Sequence, residues 1–235
     1  MSDGKKIYRS FHDIPPREYM YFPKGVIEAD KPGRFSRTEI VHLLISIVVL
    51  TIAFSFAFTN NNLFYGIDIN SLISFLPISL LAVLTAFFFH ELSHKFMAQK
   101  YGLWSEYRMY PLGLLLALLL AFFTGFVFAA PGAVMFRGDS RSFETGRIAT
   151  AGPLANMVVA LVTLILYFVF FESIIGQVIG FICLINAFLA TFNLLPLGSL
   201  DGAKIVRWNA TAWVILFSIG IAIMVYGMTN ISFAP

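Results

Sequence analysis

Charge is what this sequence has least of. Asp, Glu, Lys and Arg make up only 12% of its 235 residues, against roughly 25% in a soluble domain, which excludes an ordinary water-soluble globule. Cys183 is the only cysteine and lies in an apolar run, so the chain can form neither an internal disulfide nor a thiolate metal cluster. There are four histidines, which leaves few ways to build a metal site. Residues 1–38 contain no apolar core, which argues against a cleavable signal peptide. The net charge of +3 is small, and no nucleic-acid partner is expected.

What abounds is hydrocarbon. Hydrophobic residues make up 58% of the chain, and several runs reach the ~20 residues needed to cross a bilayer. The expected fold is an all-α polytopic membrane protein with about five transmembrane helices. Residues 1–38, charged and proline-containing, read as a cytosolic N-terminal extension, and 39–235 as one transmembrane domain. The spans are placed at Ile40–Thr59, Leu72 to about Met97, Ala149–Phe171, Val178–Leu195 and Trp213–Met228. Pro153 reads as the first turn of its helix, and Lys95 and Lys100 as markers of the membrane interface.

The stretch 111–136 is ambiguous. Its length allows a sixth span, and its first half suits a helix, but Thr124-Gly125 and Pro131-Gly132 are turn signals. Lys and Arg concentrate on the cytoplasmic face of membrane proteins. If 111–136 dips in and returns, all 16 bases fall on one face, at 1–38, 95–108, 137–147 and 204–207. A true crossing would scatter them. The segment is therefore expected to be a re-entrant hairpin, with the N-terminus in the cytosol.

Within the second span stands His90-Glu91-x-x-His94. Residues four apart share a helical face, so both imidazoles can reach one metal ion, and Glu91 beside them can hold a water. No charged residue occurs from Leu72 to Phe89. Ionisable groups at such depth are expensive and usually functional. A third ligand must come from elsewhere. Asp201, at the end of an apolar helix and followed by Gly202, is the candidate, because the re-entrant topology brings it to the same side as the histidines.

His90-Glu91-x-x-His94, Gly152-Pro153-Leu-Ala-Asn156 and Asn193-x-x-Pro196-x4-Asp201-Gly202 together resemble the site-2 protease family of intramembrane zinc metalloproteases. The resemblance covers about residues 72–207. It implies one zinc ion held by His90, His94 and Asp201, with Glu91 as general base. It also implies that Asn193 hydrogen-bonds the substrate backbone or the developing oxyanion. The substrate would be a transmembrane segment of another protein, cleaved in the bilayer near the cytosolic face. Two rivals use similar residues. A metal transporter, or a non-catalytic metal-binding membrane protein, needs no Glu91. A protease of prenylated C-termini needs a glutamate as third ligand, and Glu106, Glu144 and Glu172 are expected in loops. Substrate identity and oligomeric state are not encoded in any of these patterns.

Overall fold

The computed structural model describes residues 35–231, apart from 60, 65, 128–130, 138–139 and 172. The expected extension, His12 included, therefore lies almost wholly outside the described residues. Helices α1 (Arg37–Phe58), α2 (Ile69–Val83) and α3 (Phe89–Lys100) come first, then strand β1 (Trp104–Met109) and helix α4 (Pro111–Thr124). Strand β2 (Gly132–Arg137) follows, then α5 (Ser142–Phe170), α6 (Ile174–Asn193), α7 (Asp201–Trp208) and α8 (Ala210–Asn230). Among the described residues, five helical stretches are long and apolar enough to cross a membrane: α1, α2 running on into α3, α5, α6 and α8. Such a set fits a multi-pass membrane protein.

The long second stretch is not uniform. Residues Leu84–Phe88 form one π turn between α2 and α3. Thr85 inside it donates its hydroxyl to Leu81 O at 2.9 Å, and Asn186 of α6 donates its side-chain amide to Thr85 at 3.1 Å. The widened turn is thus pinned from the neighbouring helix, one residue before the histidine-bearing segment begins. Such turns occur frequently at functional sites.

Three expectations need correcting. Pro153 does not open its helix: α5 begins at Ser142 and carries Pro153 inside. A proline there withholds an N–H from the carbonyl four residues back, yet the helix continues because both flanks are packed. Lys95 is not an interface marker. It is buried, and its Nζ meets Glu39 Oε2 at 2.6 Å and Ser105 O at 3.1 Å, over the ring of Phe35. The third correction concerns 111–136, which is not itself a hairpin. Its first half is α4, too short to span, and its end belongs to β2, whose partner is β1 in the segment read as a polar loop.

The two strands run antiparallel with Met109 opposite Gly132 and Trp104 opposite Arg137. The chain therefore leaves from and returns to one place, with α4 as the excursion between. At its far end α4 reaches the α1–α2 connection, where Leu63 donates its N–H to Phe122 O at 3.0 Å. The turn there is made by Gly125, in the left-handed region at φ 70°.

Glu39 ties this unit together. Its Oε1 accepts the N–H of Tyr107 at 2.9 Å while Oε2 holds Lys95. The Tyr107 hydroxyl lies 2.9 Å from Ser46 and donates to Pro131 O. Apolar packing falls into two main bodies. One joins α5, α6, α7 and α8 around Tyr167, Leu194 and Ile205; the other joins α1, α2, the π turn, β1 and α4 around Leu50, Val83 and Tyr107. Helix α3 lies between them.

Candidate active site

His90 and His94 are one turn apart on α3 and both are buried. Asp201 is the first residue of α7, reached from the end of α6 through a short turn at 194–200. These three side chains converge. The two Nε2 atoms lie 3.0 Å apart, and Asp201 Oδ2 lies 3.3 Å from His90 Nε2 and 3.0 Å from His94 Nε2. Among the described residues it is the one group of three or more His, Cys, Asp or Glu side chains able to hold a metal ion.

Neighbours orient two of the three donors, His94 and Asp201. Nδ1–H of His94 donates to Ile148 O of α5 at 2.7 Å, which turns the Nε2 lone pair toward the cluster, the usual arrangement behind a metal-bound histidine. Asp201 divides its oxygens: Oδ1 accepts from Lys204 Nζ at 3.0 Å, leaving Oδ2 to face the histidines. Burial would push the Asp201 carboxyl up, but His94, His90 and Lys204 outweigh it and hold the group well below the usual carboxylate range.

Two glycines make the approach possible. A Cβ at Gly152 would overlap Nε2 of both histidines, so α5 can pass this close only without a side chain there. A Cβ at Gly202 would collide with the carbonyl oxygens of Leu194 and Leu195, so the first turn of α7 can dock on the end of α6 only through glycine. Those contacts account physically for the Gly-Pro and Asp-Gly pairs seen in the sequence.

The donor set fits a small divalent ion. Metal–ligand bonds of 2.0–2.2 Å at tetrahedral angles separate ligand atoms by roughly 3.3–3.5 Å, close to the spacing found. Two imidazole nitrogens and one carboxylate oxygen also match the ligand chemistry of hydrolytic zinc sites, which keep a further position open.

Glu91 lies on the flank of α3 next to the histidines, the one that faces the sheet. Its Oε2 accepts the backbone N–H of Val134 in β2 at 3.1 Å. No sequence signal marks Val134; only the paired strand brings it there. Asn193 ends α6 and donates its amide to Leu189 O on its own helix at 3.0 Å, so its side chain is engaged along the helix rather than with the cluster. Glu106 and Glu144 are not in loops. Glu106 lies on β1 and pairs with Arg108, and Glu144 accepts the N–H of Arg141 at the start of α5. Neither joins the histidines, and Glu172 lies outside the described residues.

Comparison with known proteins now bears on this geometry. A protein of Methanocaldococcus jannaschii, named provisionally as a zinc metalloprotease, is 43% identical over 197 residues, covering 83% of this chain and 97% of the relative. The chain belongs to that metalloprotease family. A second relative, a zinc metalloprotease of the same organism, is 28% identical over 163 residues, 68% of this chain but only 39% of its own length. No family model and no solved structure matches. In the described chain, the His90–His94–Asp201 cluster, with Glu91 alongside, is where a member of this family could hold a metal ion.

Proposed function

We propose that this chain is an intramembrane zinc metalloprotease of the site-2 protease kind, hydrolysing peptide bonds in or near transmembrane helices of membrane-protein substrates. One observation carries the reading: two of the three metal-binding donors, His90 and His94, sit on a helical stretch of bilayer length, Ile69–Lys100, and Asp201 meets them there from the start of α7. His90 Nε2, His94 Nε2 and Asp201 Oδ2 would hold one zinc ion. Bound there, zinc would lower the pKa of a water molecule toward ~7 and polarise the scissile carbonyl.

Glu91 takes the proton of the attacking water and returns it to the departing amine. The substrate must be extended at that moment, because a helix hides its carbonyls in hydrogen bonds. The outer edge of β2 supports such binding. Tyr107 gives its N–H to Glu39, so Tyr107 and Val134 form a non-hydrogen-bonded pair. Gly132, Val134 and Phe136 therefore direct their backbone groups away from β1, and the Val134 N–H already reaches Glu91. An extended peptide added to that edge would compete with Glu91 for this N–H, releasing the base as the substrate arrives. Asn193 would exchange its bond to Leu189 for the substrate oxygen as negative charge develops.

The orientation follows from charge. With Lys95 set aside as a buried partner, the other bases of the described residues, Arg37, Lys100, Arg108, Arg137, Arg141, Arg147, Lys204 and Arg207, fall at the start of α1, the end of α3, the two strands, the start of α5 and α7, which supports a cytosolic location for the site.

Glu91→Gln is the test. General-base catalysis contributes ~10²–10⁴-fold, so cleavage of a transmembrane substrate should fall by that order with zinc content unchanged. His94→Ala and Asp201→Ala should lose both zinc and cleavage. Loss of zinc from Glu91→Gln would make Glu91 a ligand, and undiminished cleavage would assign the base elsewhere. Metal flux that depends on His90, with no cleavage by the unaltered protein, would establish a transporter.

A further inference from the structure

An apolar groove of about 620 Å³ runs between α3 and α5 on their outer surface. Phe89, Ser93 and Phe96 line one wall; Leu154, Ala155 and Val158 line the other. This is not the cleft of the metal cluster. At about 100° per residue, positions 89, 93, 96 and 100 form one stripe of α3, whereas Glu91 and Lys95 face the sheet on the opposite flank. A peptide lying on β2 would not enter the groove.

The groove has a charged end. Lys100, exposed at the last turn of α3, lines it. Arg147 stands one turn before Ala151 on the same face of α5; its guanidinium donates to the Tyr101 hydroxyl at 3.3 Å and lies over the ring of Phe143. Among the described residues neither cation has a carboxylate within ion-pair distance. Two cations, one of them over an aromatic ring, thus cap an apolar trough. From Phe89 to Lys100 the trough is ~16 Å long at 1.5 Å per residue, about half the ~30 Å hydrocarbon thickness of a bilayer, which is one leaflet.

We propose that this groove is a binding site for one anionic phospholipid. An acyl chain lies along Phe89, Phe96, Leu154 and Val158, and the headgroup phosphate, its charge uncompensated by a headgroup cation, meets Lys100 and Arg147. The occupant is a lipid and not a protein helix because the trough is as deep as one leaflet and its cations sit together at one end. The site is independent of the proteolytic reading, and its test does not use activity.

The full chain is assembled in nanodiscs of equal phosphatidylglycerol and phosphatidylcholine, released into detergent, and weighed with its retained lipid by native mass spectrometry. The expected result is one retained lipid per chain, enriched for phosphatidylglycerol on the order of tenfold, as expected for two cations near the membrane surface. Lys100→Gln with Arg147→Gln should bring the ratio to about one, while Lys100→Arg keeps the enrichment. Ala155→Phe should reduce retention of both lipids; Val158→Trp blocks the same trough should that variant fold poorly. Equal retention of the two lipids by the unaltered protein would overturn the proposal. So would enrichment that survives the double substitution, retention unaffected by filling the trough, or a lipid-free dimer.

Discussion

Replacing Gly152 by alanine adds one methyl group where two imidazoles already stand. The added carbon would lie 2.6 Å from His90 Nε2 and closer still to His94 Nε2. Ordinary contact distances between such atoms are ~3.5 Å, so the rings must retreat by about 1 Å or α5 must move off α3. Helix movement is resisted on both sides, since Ala149, Ala151 and Met157 of α5 are buried against their neighbours. Overpacking of this kind costs about 1–3 kcal/mol of stability, which leaves the chain folded. The damage falls on the cluster. Ligand atoms now 3.0–3.3 Å apart would no longer share one centre, and lesser disturbances around metal ligands already lower affinity by ~10–100-fold. Zinc per chain, measured by elemental analysis after equilibration with chelators of graded strength, should drop by at least that factor. Circular dichroism should show the helical content intact. Zinc held at the affinity of the unaltered protein would refute the claim that Gly152 sets the spacing of the ligands.

Two further outcomes follow from the same structure. Glu39→Ala should destabilise the protein by ~3–5 kcal/mol by stranding the buried Lys95, and Glu39→Gln with Lys95→Met should recover most of it. Equal melting temperatures for all three proteins would dismiss the ion pair as a structural tie. In a cysteine-free background, a cysteine at Ser142 and one at Phe64 should react with impermeant maleimides from opposite sides of the membrane. Phe64 is 77% exposed, whereas Asn61 in the same loop is buried and hydrogen-bonded to Thr59 and Ser71. Labelling of both from one side would contradict five crossings.

How legible the site is in the sequence depends on distance along the chain. His90 and His94 are readable because a helix places residues four apart together. Asp201 is readable because a carboxylate set among apolar residues just past a span is costly and calls for a reason. The association of Glu39 with Lys95 is not readable: 56 residues separate them, and a lysine near a helix end looks the same whether it faces lipid headgroups or a buried glutamate. Strand β1 escaped notice because Trp-Ser-Glu-Tyr-Arg-Met has the polarity of a loop. Its polar atoms are satisfied by α1 and α3, which only the assembled fold supplies. Pro153 misled for a related reason: proline favours a helix's first turn, but α5, held on both flanks, tolerates one in its interior.

The widened turn at Leu84–Phe88 has a consequence for the phase of the long second helix. A π turn absorbs one residue more than an α turn, so every position beyond it is rotated by about 100° relative to an unbroken count. Face assignments made by stepping 3.6 residues from Ser79 or Val83 therefore fail at His90 and His94, and the apolar pattern before the turn is out of step with the motif after it. The turn behaves like a vernier. One residue fewer there would leave composition, length and hydropathy almost unchanged, yet it would swing both imidazoles away from Gly152 and Asp201. The aim of the histidines is thus set by a count of residues in a stretch of plain hydrocarbon and one threonine.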